Sequence, residues 1–211
     1  MHTRLLCLIF LLMIGPSGQL MAENPLPASC QSDCETTYGQ VLGQSPSGVK
    51  AYSNCNSSCV VFNPSKHEGT YTGIQWQCVE YARRWLLINM GVVYGDVDYA
   101  IDIWDKIDHY RHVERDEPVA VSNYVNGSAE IPQRGDLLIY AKVMFGGTGH
   151  VAVITGVNET DGYVTVGEQN FSNKPWVGDY ARKIPLVRHG DTYWLLDGYL
   201  IGWKRMQAGS S

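Results

Sequence analysis

With 211 residues, 45% of them apolar and 18% charged, the chain can bury one substantial core, and one domain with additions is expected rather than a disordered or fibrous chain. A formal net charge of −5 argues against the clustered lysine and arginine surface on which nucleic-acid affinity depends, so no nucleic-acid partner is expected. It also gives no steering toward an anionic surface.

In chain order, Arg4 precedes an apolar run from Leu5 to Ile14, which Gly15 and Pro16 break. One positive charge followed by a short apolar segment is the pattern of a secretory signal, and the run falls short of the roughly 20 apolar residues of a membrane-spanning helix. Residues 1–22 are therefore expected to be a signal peptide cleaved near Ala22, leaving a secreted or periplasmic protein without stable membrane insertion. Cys7 lies inside the run and is expected to leave with it.

Residues 23–66 are rich in Ser, Asn, Gly and Pro with little hydrophobic periodicity, and they read as an N-terminal extension. The extension holds two C-x3-C pairs, Cys30 with Cys34 and Cys55 with Cys59. In an oxidising compartment a nested pairing, Cys30 to Cys59 and Cys34 to Cys55, would staple two antiparallel segments. The competing reading is a four-thiolate zinc site, whose usual spacing is C-x2-C. Disulfides fit the spacing better, no metal is expected, and each cross-link should add on the order of 3 kcal/mol.

A helix is expected over about 75–90, with Val79, Ala82, Leu86 and Met90 on one face and Gly91 as its stop. Thr72 to Gln75 also matches a capping pattern, which would start the helix slightly earlier. A second helix, about 98–107, carries Ile101, Trp104 and Ile107 at helical spacing and is expected to pack on the first. After Gly127 come short β-branched or aromatic runs at 136–140, 151–156, 163–167, 193–195 and 198–203, which read as strands. Helices followed by strands is an α+β layout with an antiparallel sheet.

Cys78 lies near the expected start of the first helix, where the positive end of the helix dipole and free N–H groups favour the thiolate and can hold an oxyanion. His150 opens a strand behind the glycine loop 146–149, where Gly149 would let substrate approach closely. If the strand at 163–167 pairs antiparallel with that one, its end falls beside His150 and brings Glu168 and Asn170 within reach of the imidazole. Nucleophile, base and orienting group are then all present. Each residue also has an ordinary reading. Cys78 is a small apolar residue, His150 a structural histidine, Glu168 an exposed strand-end charge, and Asn170, like Asn56, Asn126 and Asn158, opens a glycosylation triplet. Asp96, Asp98, Asp102 and Asp105 read as a solvated face or, alternatively, as an acidic groove. Core packing is the default for the six tryptophans, with groove lining as the alternative.

Five blocks in order tip the balance: 75–84 (QWQCVEYARR), 91–93 (GVV), 134–140 (RGDLLIY), 148–153 (TGHVAV) and 168–170 (EQN). Together they resemble the CHAP amidase family over about residues 67–206, and within it the amidase domains that accompany glutathionylspermidine synthetases. The resemblance implies a papain-like α+β fold, with helices packed on an antiparallel sheet. It implies Cys78 as nucleophile, His150 as general base and acid, Glu168 orienting the histidine and Asn170 at a polar fourth position. It also suggests that Arg83 faces the substrate groove, with a solvated helix charge as the equal alternative; Gln77 and Gly149 are further candidates for substrate contact. The activity implied is amide hydrolysis through a thioester, without metal or organic cofactor. The signal segment and cysteine-rich extension depart from those relatives. They turn the expected substrate toward peptidoglycan peptides, with a polyamine conjugate as the alternative and an inactive binding module as a reading of another class.

Overall fold

The computed structural model describes residues 25–207, so the expected signal segment lies outside the described residues. The elements in chain order are β1 (Val41–Gln44), β2 (Lys50–Tyr52), β3 (Pro64–His67), β4 (Thr70–Ile74), α1 (Cys78–Met90), β5 (Val92–Tyr94), α2 (Asp102–Lys106) and β6 (His109–His112). They continue with β7 (Glu117–Val125), β8 (Leu137–Tyr140), β9 (His150–Asn158), β10 (Tyr163–Gly167), β11 (Arg182–His189), β12 (Thr192–Leu195) and β13 (Leu200–Met206). The fold is α+β. A nine-stranded antiparallel sheet runs β12-β11-β10-β9-β8-β13-β7-β6-β5, and the hairpins β1-β2 and β3-β4 stand beside it.

Strand alternation explains the layering. In β8 and β9, Leu137, Ile139, Val151 and Val153 face a core shared with Tyr81, Ala82, Trp85 and Leu86 of α1. Their neighbours Leu138, Tyr140, Ala152 and Ile154 face the opposite side and join Val164, Val166, Ile184 and Trp203. With both faces covered, these central strands read as near-continuous apolar runs. Full burial of side chains such as Leu86 and Ile139 contributes roughly 1.5–3 kcal/mol each.

Several expectations are corrected. The first helix begins at Cys78, not at 75. Gln77 is its extended N-cap (φ −84°, ψ 157°), and Thr72 sits in β4, its hydroxyl donating to Glu80 Oε1 at 3.0 Å instead of capping the helix. Gly91 closes the helix in the left-handed region at φ 65°, donating its N–H to the Leu87 carbonyl. The second helix is only Asp102–Lys106, because the Ile101 N–H is taken by the Thr148 carbonyl at 3.2 Å, which ties this segment to the loop before β9. Ile103 still enters the core beside α1. Strands precede and follow α1, so the order of helices first and strands after does not hold. β1 to β7 and β11 were not foreseen; Pro185 interrupts the strand pattern of β11.

The cysteines pair Cys30–Cys59 and Cys34–Cys55, across sequence separations of 29 and 21. The extension they staple is more than a bridged loop. Its Leu42, Val49 and Ala51 are buried in the core shared with α1, and the boundary placed at residue 66 falls inside β3, which pairs with β4.

Candidate active site

Three elements converge on one cavity of about 590 Å³. Helix α1 brings Cys78 as its first residue, with Gln77 just outside the helix. Strand β9 brings His150 as its first residue, behind Gly149. The chain leaving β10 brings Glu168 and Asn170. Cys78, Gln77, Gly149, His150 and Asn170 all line the cavity. Register places them: Tyr140 pairs with His150 and Gly167 pairs with Val153, so the residue after β10 lies beside the start of β9. Gly149 is required by the backbone itself. Its φ is +70°, and a Cβ there would lie 2.7 Å from the Tyr140 carbonyl oxygen.

His150 is fully buried, and its Nε2 meets Glu168 Oε2 at 2.9 Å. Tyr140, Phe145 and Phe171 surround the ring, with centroids 5.2–5.6 Å away. With Nε2 engaged by the carboxylate, Nδ1 is buried without a hydrogen-bond partner of ordinary geometry. The group it is coupled to is the half-buried thiol of Cys78. Contacts of this kind often tighten only once substrate is bound.

Burial pushes the Cys78 thiol up and is the largest single influence, but the charge and hydrogen bond of His150 together with the backbone N–H groups of Val151 and Val79 outweigh it. The thiol is therefore held below its ordinary range. Burial pushes His150 down, but the Cys78 thiolate and the Glu168 carboxylate raise it from 6.5 to about 9. Glu168, although burial opposes its charge, is held below the usual carboxylate range by His150 and Arg182. The three shifts run the same way, toward the thiolate, the imidazolium and the carboxylate.

Not every residue singled out in the sequence sits as expected. Asn170 hydrogen-bonds away from the imidazole: its Nδ2 donates to Gln77 Oε1 at 2.8 Å. Arg83 is buried and does not belong to the cavity lining. Its Nη2 donates to the Gly95 carbonyl at 2.5 Å and to Asp96 Oδ1 at 3.2 Å, and its guanidinium lies 4.9 Å from the Tyr94 ring centroid. Asp96 and Asp98 line the cavity, whereas Asp102 pairs with Lys106 and Asp105 lies outside the lining. None of the tryptophans belongs to the lining; Trp85 and Trp203 are fully buried.

Arg182, which nothing in the sequence pointed to, completes the site. Its Nε donates to Glu168 Oε1 at 2.6 Å, its Nη1 to Asp197 Oδ2 at 2.8 Å and its Nη2 to the Tyr140 hydroxyl at 3.2 Å, while the guanidinium lies 4.1 Å from the Phe171 ring centroid. A buried polar cluster below the start of α1 is a second feature that the sequence did not reveal. There Glu80 accepts from Thr72, Arg84 and Gln169, and Gln169 also receives the Tyr52 N–H. Glu80 and Arg84 stand four apart on α1, a spacing that signals the pair but not its burial.

Residues 69–170 match the CHAP domain profile. Trypanothione synthetase of Crithidia fasciculata is 33% identical over 177 residues, covering 84% of this chain and 26% of that protein. The bifunctional glutathionylspermidine synthetase/amidase of Escherichia coli (strain K12) is 34% identical over 186 residues, covering 80% of this chain and 29% of that protein. The chain thus spans between a quarter and a third of the length of these relatives. Profile match, relatives and fold agree: the chain belongs to the CHAP family.

Proposed function

We propose that this protein is a cysteine amidase in which Cys78 is the nucleophile, His150 the proton carrier and Glu168 the group that orients the histidine. One observation carries the reading. The imidazole is anchored through Nε2 to a buried carboxylate, which leaves Nδ1 for the neighbouring thiol.

The Cys78 thiolate attacks the amide carbonyl carbon, and the carbonyl π electrons move onto oxygen. Backbone N–H groups at the start of α1 hold that oxyanion. As the intermediate collapses, the C–N bond breaks and the amine leaves with the proton of His150 Nδ1, giving a thioester. Water then loses a proton to Nδ1 and attacks the thioester carbon, and the acid departs as the thiolate is restored. Gln77 and Asn170, tied to each other, form the cavity wall beside the sulfur.

Asp98, and Asp96 although it is paired with Arg83, line the cavity together with Tyr71 and Tyr99, and a wall of this kind suits an amide whose amine portion is cationic. Together with the relatives' names, this wall favours a peptide-like acid joined to a polyamine. Peptidoglycan peptides are the second reading, favoured by the signal pattern at 1–22 and the two disulfides, which fit a secreted or periplasmic protein. The domain division proposed is a signal peptide at 1–22, a stapled extension at 23–66 and the amidase domain at 67–206.

The test is to incubate the mature protein and its Cys78→Ala variant with glutathionylspermidine and with peptidoglycan, reading products by mass spectrometry. Free spermidine released by the parent protein alone supports the first substrate, and released wall peptides support the second. Native-rate hydrolysis by Cys78→Ala overturns the mechanism.

A further inference from the structure

Four carboxamides close a ring at the cavity wall. Gln77 Nε2 donates to Asn54 Oδ1 at 3.2 Å, Asn170 Nδ2 to Gln77 Oε1 at 2.8 Å, Asn173 Nδ2 to Asn170 Oδ1 at 3.3 Å, and the Asn54 backbone N–H to Asn173 Oδ1 at 2.8 Å. The ring joins three parts of the chain: the stapled extension, the residue before Cys78, and the loop that follows Glu168. Asn54 is fully buried and is the extension's only member of the ring. Its Nδ2 also donates to the Cys59 carbonyl at 2.6 Å, and its Oδ1 receives the Trp76 N–H at 3.2 Å.

Both disulfides end in this short stretch, at Cys55 and at Cys59. Between and just beyond them, Ser57, Val60 and Phe62 line the cavity that holds Cys78 and His150. Phe62 is 75% exposed, an aromatic side chain presented to solvent at the rim. Gln77 Nε2 has its two protons directed at Asn54 Oδ1 and the Cys59 carbonyl, the latter at 3.4 Å. Its side chain is therefore held by the stapled segment, so where Gln77 stands depends on where the disulfides hold residues 54–59.

We infer that the stapled segment 54–62 is one wall of the substrate site and that Asn54 is a positioning residue, so that the intact disulfides set the efficiency of catalysis. The inference rests on the assignment of Cys78 as nucleophile. It differs from a purely stabilising role for the bridges, because it places their effect on substrate handling in protein that is still folded.

The experiment uses the mature protein before and after treatment with a trialkylphosphine. For each bridge the S–S bond breaks, each sulfur ends as a thiol, and phosphorus is oxidised to the phosphine oxide with oxygen from water. Alkylation and peptide mass count the opened bridges, and near-ultraviolet circular dichroism reports the fold. With both bridges open and the spectrum retained, kcat/KM falls about tenfold to a hundredfold, the scale of a misplaced substrate contact, and recovers on reoxidation. An unchanged kcat/KM with both bridges open overturns the inference alone. Activity that survives complete alkylation of Cys78 overturns the parent assignment instead. If reduction unfolds the protein, Phe62→Ala decides, since so exposed a residue can be trimmed without unfolding the domain. KM then rises several-fold at constant kcat, whereas an unchanged KM removes the wall.

Discussion

Two buried carboxylates flank the start of α1, and they differ in what surrounds them. Glu80 has both oxygens fully engaged. Oε1 accepts from Thr72 Oγ1 and Arg84 Nε, and Oε2 from Arg84 Nη2 and Gln169 Nε2, all within 3.0 Å. Glu168 is as deeply buried and is likewise paired with an arginine, but its chain of contacts runs on through His150 and ends at a ring nitrogen without an ordinary partner, beside a thiol. A polar cluster whose every member is satisfied can only hold structure. A cluster that ends in a ring nitrogen without an ordinary partner next to a nucleophile can exchange a proton with it, and that difference separates scaffold from site.

The largest expected effect tests the reactive end of the second cluster. Cys78→Ala removes one sulfur from a half-buried position and should leave stability nearly unchanged while turnover falls by about 10⁴-fold or more, as when a nucleophile is deleted from a working triad. Kinetics and thermal unfolding on the same preparation separate the two. Next is Glu168→Gln, which keeps the shape but replaces the acceptor with an amide that can donate to His150 Nε2. That donor would drive the ring proton to Nδ1 and spoil the base, so kcat/KM should fall by about 10²–10⁴-fold with the fold intact. Equal activity in the Gln variant would show that the carboxylate is scaffold after all.

The matching change in the first cluster should reverse the pattern. Glu80→Ala leaves the Arg84 guanidinium, nearly buried, without its carboxylate, and breaking such a pair costs about 3–5 kcal/mol of stability. Denaturant unfolding measures this. A Glu80→Ala protein of native stability but depressed activity would erase the distinction between the clusters.

The sequence revealed the reactive cluster more readily than the scaffold, for a geometric reason. His150 and Glu168 belong to neighbouring strands joined by a short turn, so pairing alone brings them together, and the cysteine at the start of a periodic helix completes the set. Arg182 acts on the same carboxylate, but from β11, fourteen residues further on and opposite Val166. Pro185 obscured that strand, and Arg182 also lies beyond the residues that match the family profile. The extension was illegible in another way. Leu42, Val49 and Ala51 sit in apolar stretches of only one or two residues, too short to set a period that reveals their burial against α1. Asn170 was placed in the right loop and given the wrong partner, because register fixes where a residue lies but not which of two polar neighbours its amide meets.

The smallest expected effect concerns Arg182, the cation to which nothing in the sequence pointed. Its guanidinium is shared between Glu168 and Asp197 and is one-quarter exposed, so its loss leaves both carboxylates, Glu168 against His150 among them, with one positive charge fewer. Removing a positive charge raises the pKa of every acid near it, whether thiol, carboxyl or imidazolium. In the parent protein the active ion pair requires a deprotonated Cys78 and a protonated His150, so kcat/KM should rise with pH as the thiol ionises and fall again near pH 9 as the imidazolium loses its proton. In Arg182→Met both limbs should move to higher pH, with roughly a tenfold loss at the optimum from the looser carboxylate. Arg182→Lys, which restores charge without the forked geometry, should return the limbs toward their original positions while recovering only part of the rate. A merely structural arginine would lower the rate in both variants and leave the limbs where they were, and that outcome would move Arg182 to the scaffold side of the comparison.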